Sequence, residues 1–196
     1  MKAKPSSFFD FLRYLCYNLS IGNIKGDYSM IIMSIDASSK SSGWSVFEDG
    51  KLIDYGCITA SSTDLIKRIQ KMIEGFDDTL NKYKINKIVL EEVRPDTGYN
   101  SNTNVWKALT WLQAAIAFLV HEKYPQTEIE YIYPSSWRSK IGIRTGRGVK
   151  RETLKEADIR YVKEHFNIDV NDDIADSICI NCSYWVETKE EPESAW

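Results

Sequence analysis

Ile31-Ile32-Met33-Ser34-Ile35-Asp36-Ala37-Ser38-Ser39-Lys40-Ser41-Ser42-Gly43-Trp44-Ser45-Val46-Phe47 reads as a short apolar strand, a polar turn and a second strand. The first strand ends on a carboxylate. A buried acid is costly unless it binds a cation or finds hydrogen bonds. Ile31 to Asp36 is apolar on both faces, which suits a central strand. Gly43 to Glu48 and Lys51 to Ile58 form two further strands joined by Asp49-Gly50, a strong hairpin signal.

Downstream, Ser62 and Thr63 are the expected caps of a helix. Its apolar stripe is Leu65, Ile66, Ile69, Met72, Ile73, Phe76, Leu80 and Tyr83. Lys87 to Glu91 is a strand that again ends on an acid, and Arg94 to Asn104 is a polar loop. Val105 to Val120 is a helix with Trp106, Leu109, Trp111, Leu112, Ile116, Phe118 and Leu119 on all sides. A helix apolar all round is covered on more than one side, and a symmetric partner is the expected second cover. The alternative cover is the N-terminal extension. Glu128 to Tyr133 is a strand and Pro134 to Lys150 a loop. Glu152 to Phe166 is a helix, and a last helix starts at Asn171 and Asp172. Strand-helix-strand units demand parallel pairing with right-handed crossovers. The expected fold is therefore α/β: a mixed five-stranded sheet, antiparallel then parallel, with helices on both faces.

Four acids stand out on this order: Asp36, Glu91, Asp173 and Asp176. Asp36 and Glu91 close strands at their C-terminal ends, where open α/β sheets build their sites. Asp173 and Asp176 stand at i and i+3 on one helix face, in its first turn. Like-charge pairs a few ångströms apart repel by on the order of kcal/mol each, and a divalent ion relieves this. Oxygen ligands without Cys or His favour Mg²⁺ or Mn²⁺. Two such ions can activate water and stabilise a leaving oxygen, which is phosphodiester hydrolysis. Glu92 rivals Glu91. The pleat puts the two on opposite faces, and alternation alone does not choose between them.

Between Trp137 and Arg151 lie Arg138, Lys140, Arg144, Arg147, Lys150 and Arg151, with no acid. Lys150 and Arg151 begin a helix, where cations are disfavoured unless an anion sits there too. This strip reads as a contact to DNA phosphates.

Ile35-Asp36-Ala37-Ser38 through Gly43-Trp44-Ser45-Val46 resembles the first two strands of RuvC-type Holliday junction resolvases of the RNase H-like superfamily. Val89-Leu90-Glu91-Glu92-Val93 resembles that family's second acidic motif, which favours Glu91, and Asp173-Ile174-Ala175-Asp176-Ser177 resembles its C-terminal D-x-x-D motif. Pro134 to Arg151 resembles its basic loop. The likeness runs from about Met30 to Trp185 and fits a phage-type or divergent member. It implies a homodimer that cuts two opposed strands of a four-way junction with Mg²⁺ or Mn²⁺, leaves 5′-phosphates, and dimerises through the helix Val105–Val120. It also implies that Arg138 and Lys150 lie nearest the scissile phosphate, with Lys150 stabilising transition-state charge. One departure concerns the aromatic that some members carry three residues after the second acid. Arg94 stands there, with Tyr99 and Trp106 as substitutes.

Sugar kinases and actin-like ATPases also open with strand, Asp, turn, Gly and strand, but they need a Gly-rich phosphate motif and a second domain. The remaining rivals are a module that grips branched DNA without cutting it, and a related nuclease for RNA–DNA hybrids or other branched DNA.

The chain has 196 residues and a net charge of -3, so its nucleic-acid contact must be local rather than global. Its four cysteines form no disulfide framework, and Cys179 and Cys182 read as core thiols in a reducing, cytoplasmic compartment, near the nucleoid or in a host cell if phage-encoded. His121 and His165 read as packing or surface residues. The apolar run from Phe8 to Leu19 is too short and interrupted for a membrane span. Residues 1–29 are expected to be an extension or an upstream start, residues 30–187 the nuclease domain, and residues 188–196 a polar tail. Fraying is expected from Glu187.

Overall fold

A computed structural model describes residues 29–93, 103–146 and 148–190. Residues 1–28, the loop residues 94–102 with Arg94 and Tyr99, Arg147 and the end of the tail lie outside the described residues. Five strands, β1 (Ile31–Asp36), β2 (Ser41–Glu48), β3 (Lys51–Thr59), β4 (Lys87–Glu91) and β5 (Glu128–Ile132), form one sheet in the order β3-β2-β1-β4-β5. β1 pairs antiparallel with β2 and parallel with β4. β2–β3 is antiparallel and β4–β5 parallel. The expected mixed sheet is the one observed. Asp49 and Gly50 make the hairpin turn, both at positive φ (48° and 78°), the geometry that Asp-Gly supplies at low cost.

Among the described residues five helices cover the sheet: α1 (Leu65–Lys82), α2 (Thr103–Lys123), α3 (Pro134–Lys140), α4 (Arg151–Phe166) and α5 (Asp172–Glu190). The pleat sorts the strand residues between two cores. Met33, Ile35, Val46, Ile88 and Leu90 pack with α1 and α2. Ile32, Phe47, Val89 and Ile132 pack with Trp137, Val162 and the α5 residues Ala175, Ile178 and Cys179. By the same alternation Ser34 and Asp36 share the α5 face of β1, and Glu91 shares the face of Val89. A buried polar seam ties α5 to the strands. Ser34 Oγ donates to Ser177 O (2.6 Å), Ser45 Oγ to the same carbonyl (3.1 Å), and Asn181 Nδ2 to Ile32 O (3.1 Å).

Several local expectations change. Pro134 to Lys140 is a helical turn rather than loop, because Pro134 opens it at N1 and Trp137 is fully buried beneath it. The cap of α1 is Asp64, whose Oδ1 accepts from the amides of Ile66 (2.8 Å) and Lys67 (3.4 Å), rather than Ser62 or Thr63. Ser62 instead accepts from the Asp64 amide. Asn171 Oδ1 accepts from the Ile174 amide and starts α5, which continues past Glu187 to Glu190. The helix α2 buries Ala108, Leu112, Gln113, Ile116, Leu119 and Val120 on its own domain, leaving Phe118 67% and Val105 52% exposed. No helix among the described residues is long and apolar enough to cross a membrane.

Candidate active site

The parallel pairing of β1 with β4 sets Ile35 beside Leu90, so the acids that follow them, Asp36 and Glu91, end adjacent strands at one edge of the sheet. The first turn of α5 comes to the same edge because β2 has no side chain at Gly43. A Cβ built there would lie 1.9 Å from the Asp173 carbonyl oxygen and 2.8 Å from the Ile174 nitrogen. Asp36, Glu91 and Asp173 line one cavity of about 420 Å³, with Ser38, Glu92, Val105, Leu109 and Arg151 among its other walls. Glu92 lies beside Tyr131, whose proton affinity burial and then the Glu92 charge raise, while of the two glutamates Glu91 is the one that repels Asp36.

Each acid but Asp36 has one oxygen held by a protein donor. Trp137 Nε1 donates to Glu91 Oε2 (2.9 Å), Arg138 Nη2 to Asp176 Oδ2 (3.1 Å), and Ser41 Oγ to Asp173 Oδ2. Gln113 Nε2 donates to the Glu91 carbonyl oxygen (2.5 Å) and pins that strand end to α2. Burial, then repulsion from Glu91 and Asp173, pushes the Asp36 carboxyl well above the usual carboxylate range. Burial also raises Glu91, against the opposing pull of its Trp137 bond and of Arg138. Burial, the charge of Asp36, and a side-chain hydrogen bond with Asp158 together with its charge push Asp176 up to about 9.

This donor set fits a hard divalent cation. It is all oxygen, it is mutually repulsive, and Asp176 Oδ1 is buried with no hydrogen-bond partner. Among the described residues no three acids, histidines or cysteines already stand at ligating distances. The Trp137, Ser41 and Arg138 bonds account for where three of the carboxylates point.

The basic segment does not behave as one strip. Arg144, Lys150 and Arg151 are exposed and Lys140 is half-buried, whereas Arg138 is only 7% exposed. Arg138 is committed to Asp158 (2.8 Å) and Asp176 (3.1 Å), so it lies beneath the site instead of on an outer DNA-facing surface. Lys150, expected beside the reacting phosphate, is the N-cap residue of α4 and does not line the cavity. Its neighbour Arg151 does, and Arg151 pulls down the proton affinities of Asp36 and Glu91. Sequence reasoning passed over Trp137 as a hydrogen-bond donor, Ser41, Gln113 and Asp158. Trp137, next to Arg138 in the basic segment, and Ser41, between Asp36 and Gly43, lay within motifs, while Gln113 and Asp158 did not. Cys179 is buried and Cys182 packs at the edge of the same core. His121 is exposed, and exposed His165 stacks on Tyr161 at 4.0 Å between ring centroids.

The pKa shifts fix a pH dependence for the metal-free protein. Asp176 holds its proton in the fold to about 9 and loses it on unfolding near 3.8. The unfolded chain then binds fewer protons across that window, so stability is greatest at the acid end and falls as pH rises. Asp36 and Glu91 act in the same direction. Asp54, Asp77 and Asp172 are shifted down, so their contribution changes only below this window. Melting without metal is expected to fall in temperature between about pH 5 and 8, and excess Mn²⁺ to reverse the trend. A metal-free melting temperature that rises across this range contradicts the assignment.

A sheet in this order, with acids ending β1 and β4 and two more in the first turns of α5, is the RNase H-like arrangement. The family model described as "Crossover junction endodeoxyribonuclease RuvC" matches residues 32–180, and the chain belongs to that family. It is therefore a phosphodiester hydrolase of the Holliday-junction-resolving class, and nucleases of this kind depend on divalent metal in general. Solved structures similar to the chain include Thermus thermophilus RuvC in complex with Holliday junction substrate, at 13% identity and TM-score 0.64, covering 83% of this chain and 96% of that one. A second Thermus thermophilus RuvC structure gives 12% identity and TM-score 0.62, covering 82% and 96%. The yeast mitochondrial Holliday junction resolvase Ydc2 gives 14% identity and TM-score 0.53, covering 89% and 85%. No curated protein sequence matches the chain.

Proposed function

We propose that a homodimer of this chain cuts two opposed strands of a four-way DNA junction, using two Mg²⁺ or Mn²⁺ ions held by Asp36, Glu91, Asp173 and Asp176. The observation that carries this reading is the meeting of strand-end and helix-start acids at one open edge, with raised proton affinities and an unpartnered Asp176 oxygen. When bound, the ions supply an activated water and charge stabilisation at the leaving oxygen, giving 5′-phosphate ends. Trp137, Ser41 and Arg138 orient the acids. Arg151, on the cavity wall, takes the transition-state role that the sequence suggested for Lys150. Lys140, Arg144, Arg147, Lys150 and Arg151 take the DNA phosphates, and Arg138 serves the site from beneath. The Thermus neighbour's junction complex supports four-way DNA as the substrate. The work of such an enzyme lies where the cell's DNA is, in the cytoplasm.

The exposed apolar side of α2 supports the dimer. Phe118, Trp111 and Trp106 are exposed among the described residues of one chain, and covering them removes apolar area from water. Sedimentation equilibrium is expected to give twice the 22.6 kDa of one chain. Phe118→Glu is expected to return the single-chain mass and to uncouple the two nicks. A monomeric wild type, or an unchanged dimer in the variant, contradicts the dimer through α2.

A further inference from the structure

The family motifs leave one buried acid unexplained. Asp158, in the middle of α4, is 0% exposed and lies outside the D-x-x-D pair. It holds Arg138 by the fork of the guanidinium. Arg138 Nε donates to Asp158 Oδ2 (3.0 Å) and Nη2 donates to the same oxygen (2.8 Å). Arg138 gives Asp176 a single bond, from Nη2 to Oδ2 (3.1 Å), and Asp176 Oδ1 stays without a partner. The guanidinium also lies over the Trp137 ring, 3.9 Å from its centroid, and Trp137 bonds Glu91. A guanidinium prefers two parallel bonds to one carboxylate. With its fork engaged by Asp158, Arg138 cannot also chelate Asp176. Two acids, Asp158 and Asp176, thus face one buried cation, whose fork can serve only one of them at a time.

We propose that Asp158 is a positioning residue, which engages the Arg138 fork so that Asp176 keeps one oxygen open for a divalent ion. The inference rests on the metal reading of the acid cluster and adds to it a reason for Asp158. Once the Asp158 charge is gone, the guanidinium turns its fork on Asp176 and competes with the metal. A supporting residue of this kind changes metal affinity by about 10- to 100-fold.

The test is Mn²⁺ binding without DNA, read from the loss of the free-ion paramagnetic resonance signal, with thermal melting as a check of the fold. Asp158→Asn is expected to weaken Mn²⁺ binding at least about tenfold. In the double variant Arg138→Gln with Asp158→Asn the competing cation is gone, and affinity is expected to exceed that of Asp158→Asn and to equal that of Arg138→Gln alone, because the two residues act as one unit. Wild-type affinity in a folded Asp158→Asn, or equal weakness in Asp158→Asn and the double variant, overturns the proposal. If Asp158→Asn does not fold, Arg138→Gln and the double variant decide: equal Mn²⁺ affinity in the two supports the proposal, since without Arg138 there is no fork for Asp158 to engage, and a further tenfold loss on removing Asp158 overturns it. Asp36→Asn separates the two readings. If that variant binds Mn²⁺ as wild type does, or if wild type binds none, the metal reading fails and this inference with it. If Asp36→Asn loses binding and Asp158→Asn does not, only the inference fails.

Discussion

Asp36→Asn is expected to abolish cleavage, by at least about a thousandfold, while junction binding is kept. Asp36 lies where the repulsion converges, raised by burial and by the charges of both Glu91 and Asp173, and it in turn raises Asp176. The amide is nearly isosteric but removes a charge, so it cannot hold a hard cation as the carboxylate does. The same loss of charge relieves the metal-free site. The variant is therefore expected to melt at a higher temperature than wild type at neutral pH without metal, a trade of activity for stability. DNA affinity is kept because the exposed cations Arg144, Lys150 and Arg151 are untouched. Gel-shift titration, cleavage rate and melting curve separate these effects. Cleavage within about tenfold of wild type removes Asp36 from the metal site.

The second large effect belongs to a residue with no chemistry of its own. Gly43→Ala is expected to cost about 1–3 kcal/mol of stability and about a hundredfold in cleavage rate. The new Cβ meets backbone, 1.9 Å from the Asp173 carbonyl oxygen and 2.3 Å from its carbon, so the whole first turn of α5 must move. That turn carries two of the four acids, and a displacement of about 1 Å is enough for a loss of this size. Gly75→Ala is the control. Its Cβ meets only the Ile58 side chain, at 2.7 Å, on the face of the sheet covered by α1, and its cleavage rate is expected to stay that of wild type. Unfolding curves and single-turnover rates on both variants make the comparison. An unchanged rate in Gly43→Ala shows that the α5 contact with β2 does not set the geometry of the site.

What could be read from the sequence follows physical locality. The Asp49-Gly50 turn, the strand-end positions of Asp36 and Glu91 and the i, i+3 spacing of Asp173 and Asp176 are written in neighbouring residues, and the structure has them as expected. The choice between Glu91 and Glu92 needed the face on which Val89 packs, which depends on α3 and α5. Arg138 and Asp158 were hidden for a stronger reason. An arginine among other cations and an acid on a charged helix look solvated in a local window, and here each is buried only because the other neutralises it across 20 residues of chain. Trp137 likewise carried no local sign of its bond to Glu91. The α2 pattern was legible as double cover, of which the described residues supply one side.

The most direct test of the central claim is a strand-cleavage assay on a synthetic four-way junction, with linear duplex, fork and RNA–DNA hybrid alongside, in Mg²⁺, in Mn²⁺ and in chelator. Paired, symmetric nicks in the junction alone, dependent on the ion and sealed by ligase without further treatment, are the expected result. Tight junction binding with no cutting under either ion, or equal cutting of linear duplex, contradicts the account.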